Sequence, residues 1–484
     1  MGGGFGGSLL AMILSGLGLR VTLVERERHP RFAIGESSTP LANLVLEQLC
    51  HRYGLDAVLP LTRYGSWKRA HPEIGCGAKR GFTFVGHRPG APYSASGVEA
   101  GPLLVAASAS EEDADTHWYR ADVDAFLSDQ AREAGVEVLE ATAVVGAQRR
   151  TGGGWTLSLS RDQTTESIEA ERVVDATGGA GPLAEALGMT DRAASLRTRS
   201  RAVFSHFRDV GRFQEVFEAA GGETSSHPFP LDQAALHHIL ADGWLWCLRF
   251  DNGITSVGRM SCAAEPVGSA QEEWEATLAA YPGLALQFAV SEPVRPLVRT
   301  GWLQRRVARS AGSDWVLLPG AAYFVDPILS PGNAHTLIGV ERVARAFEAE
   351  RDGHSFSEAA RRYDEELQAE IEFVDDLAAG CYASLGCPEL LHAFTMYYFA
   401  GAHFSETQRR AGSDGEAEGF LTARDTRLRR AVQQAREQIE RLTESGPPSR
   451  QEVATFVARV RDDIVPWNLI GLCDPARKNL YPFA

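Results

Sequence analysis

The glycines at the start of the chain have a spacing that can hold a phosphate group. Gly2, Gly4 and Gly7 form a GxGxxG pattern within GGGFGGS, and the apolar, helix-like stretch LLAMILSGLGL follows. Such glycines allow a tight turn and let backbone N–H groups at a helix N-terminus approach a pyrophosphate. The next segment, VTLVERE, alternates like a strand and brings Glu25 to about 20 residues after the glycines, where a carboxylate can bind a ribose. The pattern predicts a dinucleotide site rather than a flexible glycine-rich tail.

A dinucleotide-binding fold also needs a strand before these glycines. Met1 directly precedes Gly2, so the chain has no residues for that strand. We expect the N-terminus to be cut short by the choice of start site. An upstream gene sequence that encodes no apolar strand would contradict this expectation.

The elements that follow predict an α/β chain. The helical pattern of WYRADVDAFLSDQAREAGV leads into one strand, VEVLEATAVV, and ERVVDATGGAG is a further strand that ends in a glycine turn. TGGG at 151–154 predicts a hairpin-like turn. Between 195 and 310, segments such as GWLWCLRF and ITSVGRM are rich in aromatic and β-branched residues, which favours a sheet that covers a substrate.

The last third of the chain has helical periodicity. Ser355 begins a predicted amphipathic helix that ends at Gly380, and a second helix ends at Gly446. Ser449 and Glu452 predict a capping box for the next one.

Composition limits the classes of function. The chain has 484 residues, a net charge of −15 and 7 cysteines, with no CxxC pair among them. Cysteines in this arrangement predict neither a metal site nor a disulfide framework. The negative charge disfavours nucleic-acid binding. Because no apolar run reaches the length of a membrane helix and no secretory signal is visible, we expect a soluble, cytoplasmic protein without a membrane span.

Several segments resemble the flavin-dependent halogenases, which are relatives of the FAD-dependent aromatic monooxygenases. The resemblance runs nearly end to end, and VPWNLIGLCDPARKNLYP near the C-terminus is similar to the pyrrole and phenol halogenase branch. The segments that carry it are GGGFGGS, RFAIGESSTP (31–40), AKRGFTF (78–84), HWYRADVDAFL (117–127), VVDATGGAG (173–181), GWLWCLRF (243–250) and AAYFVDPILSPGNA (321–334).

The resemblance implies an α/β fold with a glutathione-reductase/hydroxylase-type FAD-binding domain, a β-sheet substrate region and a helical C-terminal region. We expect residues 1–190 to form the FAD-binding region, with an inserted segment, 60–115, that carries the catalytic lysine. A substrate-covering mixed sheet then spans 191–310. The chain returns to the FAD-binding domain over 311–350, and 351–484 form the helical region.

The family's chemistry gives one lysine a special role. In the family, reduced FAD and O2 give a flavin hydroperoxide, halide attacks it to form hypohalous acid, and a lysine ammonium carries the active halogen towards the substrate. Lys79 in AKRGFTF matches that lysine. An ammonium suits the role because it donates hydrogen bonds and places positive charge beside an electrophilic oxidant. The alternative for Lys79 is a solvated side chain beside Arg80.

The resemblance also implies a set of binding residues. Chloride or bromide is expected at Pro331, Gly332 and Asn333, although Pro331 has no N–H. The expected FAD contacts are Gly2, Gly4, Phe5, Gly6, Gly7, Ser8, Glu25, Glu36, Ser37, Ser38, Arg120, Asp326, Gly332 and Asn333, and the expected substrate pocket is Phe82, Phe84, Trp244 and Trp246. Alternation places Trp244 and Trp246 on one face of a strand, where closed core is the competing role. The alternative role for Arg120 is a salt bridge on the surface. The alternative role for Glu36 is to cap a helix.

The leading hypothesis is therefore an FADH2- and O2-dependent halogenase of an electron-rich phenol- or pyrrole-like ring, free or tethered to a carrier protein. A separate NAD(P)H-dependent reductase would supply the reduced flavin, because no second GxGxxG unit follows a strand. Two alternatives stay open: a monooxygenase or alkene reductase on the same scaffold, and a degenerate FAD-binding protein without turnover. Leu248-Arg249, where the family has Ile-Pro, and Pro331 keep the first alternative open. Pro319-Gly320, where aromatic hydroxylases often have Gly-Asp, and the missing first strand keep the second one open.

Overall fold

The computed structural model describes residues 1–95, 101–179, 181–264, 268–412 and 419–483. The α-helices are α1 (Phe5–Gly16), α2 (Pro40–Tyr53), α3 (Tyr64–Ala70), α4 (Arg120–Glu133), α5 (Pro182–Ala186), α6 (Phe213–Ala219), α7 (Ala270–Ala280), α8 (Pro282–Ala285), α9 (Pro319–Ala322), α10 (Pro331–Arg351), α11 (Phe356–Ala383), α12 (Pro388–Arg410), α13 (Thr426–Thr443) and α14 (Arg450–Asp463). The 3-10 turns are Leu59–Thr62, Ala193–Ser195, Leu286–Phe288, Phe420–Thr422 and Pro475–Arg477.

The strands are numbered in chain order. They are β1 (Thr22–Val24), β2 (Cys76–Lys79), β3 (Gly81–Gly86), β4 (Leu103–Ala106), β5 (Asp115–Trp118), β6 (Glu137–Leu139), β7 (Ala143–Arg149), β8 (Trp155–Arg161), β9 (Thr164–Ala170), β10 (Val173–Asp175), β11 (Arg201–Arg208), β12 (Ala235–Leu240), β13 (Gly243–Arg249), β14 (Ile254–Ser261), β15 (Glu292–Pro293), β16 (Val298–Arg299), β17 (Arg305–Arg306), β18 (Trp315–Leu317), β19 (Tyr323–Phe324) and β20 (Leu480–Tyr481).

The chain start lies between two parallel strand pairs, β1 with β6 and β10 with β18. The Met1 amino group donates to the Val174 carbonyl at 2.9 Å, and Met1 accepts from the Ala176 N–H at 2.8 Å. On the other side, the Gly2 N–H donates to the Val24 carbonyl at 2.8 Å. Met1 and Gly2 thus join the two pairs directly before α1. The strand expected upstream of Met1 stays a prediction.

A large sheet, in the order β15-β11-β14-β13-β12-β3-β4-β20, stands beside this α/β region. The strands predicted in GWLWCLRF and ITSVGRM are confirmed as β13 and β14. The sheet also takes β3 and β4 from the segment expected as an insertion, with β3 parallel to β12. Alternate residues of β13 enter two cores: Trp244 and Trp246 pack in the main one, and Leu245 and Cys247 in a second one with α6 and α7.

The helical C-terminal region is confirmed, with one boundary corrected. Ser355 caps α11, and Ser449 with Glu452 forms the predicted capping box of α14. The prediction that α11 ends at Gly380 is wrong, because the helix continues to Ala383. A β-carbon at Gly380 would lie 2.0 Å from Cζ of Phe394, so this glycine lets α11 and α12 pack closely instead of stopping a helix.

A second correction concerns VEVLEATAVV, which forms two strands rather than one. Ala141, with φ of 50°, breaks the extended backbone between β6 and β7. The first strand pairs with β1 and the second begins the β7-β8-β9 hairpins, whose first turn is the predicted one at TGGG. Among the described residues, no helix combines the length and the apolar character needed to cross a membrane.

Candidate functional site

The N-terminus of α1 has the features of an anion site. The helix starts at Phe5, inside the glycine run, with no capping side chain and no acidic residue in its first turn. The first backbone N–H groups of any helix have no intrahelical acceptor, and here no capping side chain accepts from them either. A β-carbon at Gly7 would lie 2.0 Å from the Gly2 carbonyl oxygen, and one at Gly6 would lie 2.7 Å from Thr336 of α10. The glycines thus let the turn close and let α1 pack against α10.

Cations and a carboxylate surround this turn. A β-carbon at Gly4 would lie 3.3 Å from a guanidinium nitrogen of Arg120 and 3.4 Å from one of Arg31. Glu25 is buried at the end of β1 and accepts the N–H groups of Gly3 and Glu27 at 2.7 and 2.9 Å. Arg31 also donates to Glu25 at 3.3 Å, and since a carboxylate can accept about four hydrogen bonds, it has capacity for one more, as from a ribose hydroxyl. The Ser8 hydroxyl bonds within the turn, to the Gly3 carbonyl at 3.3 Å.

Arg120 is buried rather than on the surface. Its guanidinium makes a two-point contact with Asp124 at 2.9 and 2.8 Å and donates to the carbonyls of Ile34 and Gly35. It also lies 4.9 Å from the centroid of the Phe5 ring. Arg120 therefore ties α4 both to the α1 turn and to the IGESSTP segment.

A second helix N-terminus, that of α10, faces the same segment. Ser330, with φ of 51°, precedes Pro331, and α10 likewise has no side-chain cap. Gly35 has φ of 88°, and a β-carbon there would lie 3.4 Å from Arg120 and 3.9 Å from Oδ1 of Asn333. Nδ2 of Asn333 is buried without a hydrogen-bond partner, whereas a β-carbon at Gly332 would meet nothing within 4 Å.

These residues fit a bound dinucleotide. Two uncapped helix N-termini, two arginines and an unpartnered amide donor suit a negatively charged pyrophosphate and a polar ring system. Pro331 supplies no N–H, so Gly332 and Asn333 are the backbone donors that α10 offers first. At the 173–181 segment, Gly178 and Gly179 also border open space, and Ala180 lies outside the described residues.

Lys79 lies directly behind the IGESSTP segment. It ends β2 and is fully buried, which removes the alternative of a solvated side chain. Its Nζ donates to Oγ of Ser37 at 3.0 Å and to the carbonyl of Ser38 at 2.5 Å. The Ser37 hydroxyl also accepts from the Ser330 hydroxyl at 3.2 Å. Burial lowers the pKa of the Lys79 ammonium, and the neighbouring Asp115 carboxylate opposes that effect.

A cavity of about 490 Å3 lies next to Phe82, and the fully buried Lys79 does not itself line it. We call it the α2–α12 cavity, because residues of α2 and α12 line it together with β3, β4 and the end of the chain. The Lys79 Nζ lies 4.0 Å from the centroid of the Phe82 ring, and Phe82 lines the cavity. Other residues that line the cavity are Asn43, Asp115, Tyr398, Phe399, Glu406 and Arg410.

The other residues predicted for the substrate pocket pack in the core instead of lining this cavity. The Phe84 ring stacks on His237 at 4.6 Å, and Trp244 stacks on the other side of that imidazole at 5.0 Å. The Trp246 N–H donates to the Ser256 hydroxyl at 3.1 Å. Of the four, the structure brings Phe82 next to Lys79.

Asp326 and Glu36 have protein partners. Asp326 accepts from Ser200, Tyr382, Trp244 and the Ile328 N–H at 2.6 to 3.3 Å, and burial raises its pKa to about 6 against those hydrogen bonds.

The buried Glu36 carboxylate bonds to His206 of β11 at 2.7 Å, while Thr39 caps α2. Glu36 therefore links the segment to the large sheet and is not the helix cap considered from the sequence.

Sequence reasoning missed the acidic residues of the α2–α12 cavity. Asp115 stands opposite Lys79 in the β2–β5 pair, and Glu406 lies almost 300 residues further along the chain, on α12. One signal was available: Glu406 follows HAFTMYYFAGAHFS, a stretch whose apolar residues occupy every face of a helix, and such a helix is buried.

Comparison with known proteins agrees with these features. A family model described as tryptophan halogenase matches residues 112–384. Monodechloroaminopyrrolnitrin halogenase of Pseudomonas fluorescens is 27% identical over 98% of this chain and 86% of its own length. Tetracycline 7-halogenase of Kitasatospora aureofaciens is 28% identical over 79% of this chain and 69% of its own length.

A solved structure shares the fold. Halogenase PltM in complex with phloroglucinol and FAD superposes with a TM-score of 0.89 at 21% identity, covering 99% of this chain and 98% of that one. The predicted fold class and the resemblance to halogenases are thereby confirmed. The chain belongs to the tryptophan halogenase family and is a flavin-dependent oxidoreductase of the halogenase class.

Proposed function

We propose that this flavin-dependent halogenase modifies an electron-rich, phenol- or pyrrole-like ring held in the α2–α12 cavity, with Lys79 as the residue that delivers the halogen. The observation that carries the proposal is the position of the Lys79 ammonium, hydrogen-bonded to the IGESSTP segment and 4.0 Å from the centroid of a ring that lines the cavity. A relative is named as a pyrrole-2-carbonyl carrier-protein chlorinase, which supports a substrate of this class, free or carrier-tethered.

Different residues of the chain would bind the dinucleotide, bind the halide and deliver the halogen. Reduced FAD, supplied by a separate NAD(P)H-dependent reductase, provides with O2 the oxidising power that turns chloride or bromide into hypohalous acid. The α1 turn, Glu25 and Arg120 would hold the dinucleotide, and the N–H groups of Gly332 and Asn333 would hold the halide. Lys79 already spends two of its three N–H donors on Ser37 and Ser38, so one remains for the oxygen of hypohalous acid.

Replacement of Lys79 tests the proposal. Purified protein is incubated with FAD, a flavin reductase, NADH, O2, bromide or chloride, and an activated phenol, and the products are identified by mass spectrometry. Lys79→Ala and the bulkier Lys79→Met should lower halogenation by about 10²–10³-fold, the scale of losing one charged donor in an active site. FAD affinity should persist in both variants, because the dinucleotide residues are unchanged.

Lys68→Ala is the matched control, since Lys68 is a partly exposed lysine of α3 that pairs with Asp251 at 2.6 Å. It should halogenate like the wild type. A hydroxylated product without halide would instead support a monooxygenase. Failure to bind FAD would support a flavoprotein that has lost turnover.

A further inference from the structure

Two buried acids line the α2–α12 cavity, and Arg63 and Arg410 line it as cations. Asp115 and Glu406 both line it, with 5% and 8% of their surfaces exposed. Oδ1 of Asp115 accepts from Nδ2 of Asn43 at 2.7 Å, whereas Oδ2 of Asp115 and Oδ1 of Asn43 are buried without any partner. Buried acceptors of this kind cost free energy until a donor reaches them. Asp115 and Asn43, two residues that line the cavity, therefore keep acceptor oxygens that no donor satisfies.

The walls around these acceptors are aromatic. Phe82 and Phe399 meet edge to face, with centroids 5.4 Å apart, and Tyr398 packs against both rings at 6.0 and 5.3 Å. A flat ring can pack against such walls at modest cost in entropy. Since the Lys79 Nζ lies 4.0 Å from the Phe82 centroid, a ring bound in the cavity against Phe82 is separated from the ammonium by that one side chain.

The electrostatics discriminate between substituents on that ring. Burial, together with the charge of Asp115, raises the pKa of Glu406 to about 8, and burial raises the pKa of Asp115 as well. Glu406 keeps an acceptor oxygen in either protonation state. A ligand carboxylate offers these acceptors no donor, and it must lose the water that solvates its charge. A hydroxyl, an amine or a pyrrole N–H donates to the acceptors without burying a charge.

We infer that Glu406 and Asp115 form a substrate subsite that accepts hydrogen bonds from O–H or N–H groups on an uncharged aromatic ring and excludes aromatic carboxylates. This inference rests on the proposed function, because it takes the ring in the cavity to be the substrate. Glu406 is thereby a specificity-determining residue on α12, far in sequence from every motif that indicated the site.

The test compares probes that differ in donors and in charge. Phloroglucinol offers three hydroxyls, 1,3,5-trimethoxybenzene offers none, and 3,5-dihydroxybenzoate adds a carboxylate. Dissociation constants are measured by calorimetry on the full chain loaded with FAD, without reductant. The wild type should bind phloroglucinol about tenfold or more tightly than either other probe, the scale of one hydrogen bond to a charged group.

Glu406→Leu should reduce the preference over the methyl ether about tenfold, and Glu406→Gln, which keeps one acceptor, should reduce it less. Neither variant should gain affinity for the benzoate, because the cost of burying its carboxylate remains. If Glu406→Leu does not fold, Glu406→Gln still decides, through its smaller but measurable loss of preference over the methyl ether. Glu389→Gln, at the opposite end of α12, is the control and should keep the wild-type ratios.

Equal affinity of the wild type for all three probes, no binding of phloroglucinol, or unchanged ratios in the folded Glu406 variants would overturn the inference. Because no turnover is involved, the result is separate from the proposed function. If the protein prefers ligands with donors but does not halogenate, only the proposed function is contradicted. If it halogenates without preferring ligands with donors, only the proposed subsite is contradicted.

Discussion

The two sides of Lys79 differ in almost every physical respect. On the IGESSTP side, two helix N-termini, two arginines and close-packed glycines suit a negatively charged, extended cofactor. On the other side, two buried acids and three aromatic rings line the cavity that we propose for a small ring with donors. The proposed cofactor site and the proposed substrate site thus differ in the chemical groups that line them.

Lys79 lies between the two sides, although it does not itself line the cavity. Its ammonium bonds to the IGESSTP segment, while its neighbours across β2–β5 and along β3 belong to the cavity. A cation at the boundary is stabilised by Asp115 and destabilised by burial, so its charge depends on both sides. Substitutions on one side should therefore affect that side's function without affecting the other.

The largest effect is expected from Gly7→Ala on the cofactor side. Alanine is the better helix former, so propensity alone would stabilise α1. The new β-carbon, however, would lie 2.0 Å from the Gly2 carbonyl oxygen, which is backbone and cannot rotate away. We expect the turn to open, with a loss of about 1–3 kcal/mol in the free energy of unfolding and loss of measurable FAD binding in a fluorescence titration.

Gly16→Ala is the matched control, in the last turn of the same helix. A β-carbon at Gly16 would meet nothing within 4 Å, so this variant should be neutral or slightly more stable and should bind FAD normally. Normal FAD binding by Gly7→Ala would show that the turn does not contact the cofactor.

The same contrast explains what could be predicted from the sequence. The cofactor side is encoded in short segments, since Gly2, Gly7 and Glu25 fall within one βα unit whose spacing is set by the phosphate and the ribose. The α2–α12 cavity has no such local code. Asp115 and Glu406 meet because β5 and α12 pack together, and their shifted pKa values arise from that packing.

The wrong prediction at Gly380 and the choice left open for two tryptophans have the same origin. Gly380 has the local appearance of a helix end, but its role is set by Phe394 on another helix. Trp244 and Trp246 share a face as alternation predicts, yet the layer that covers them decides whether that face is pocket or core.

The next largest effect is expected in the pH dependence of the free energy of unfolding, through the buried Glu406. Because the pKa of Glu406 is raised to about 8, its contribution to stability is fully present below its unfolded pKa of about 4.5 and is lost as pH rises towards 8. Three ionisable groups face Glu406. Asp115 and Tyr398 become negative when they lose a proton, and Arg410 is a cation. Glutamine does not titrate. Glu406→Gln should therefore gain stability relative to the wild type between about pH 5 and 8, by at most about 1.4 kcal/mol per pH unit.

Urea unfolding at a series of pH values measures this difference, with Glu389→Gln as the control on the same helix. A difference between wild type and Glu406→Gln that stays constant with pH would mean that the cavity is solvated enough to keep Glu406 ionised.

The smallest effect is expected at the boundary itself, where adjacent serines bond differently. Ser37→Ala removes the hydroxyl that accepts from both Lys79 and Ser330, so the ammonium keeps only the Ser38 carbonyl among these bonds. We expect halogenation kcat to fall about tenfold, the scale of one hydrogen bond to a charged group, with a smaller change in FAD affinity.

Ser38→Ala should show the reverse pattern. Its hydroxyl accepts the buried Thr116 N–H at 3.2 Å, while the carbonyl that holds Lys79 is backbone and remains. The free energy of unfolding should fall by about 1 kcal/mol, and kcat should change less than in Ser37→Ala. Equal losses of kcat in the two variants would mean that the segment acts through its overall conformation. A loss confined to Ser37→Ala would mean that the orientation of one ammonium couples the two sides.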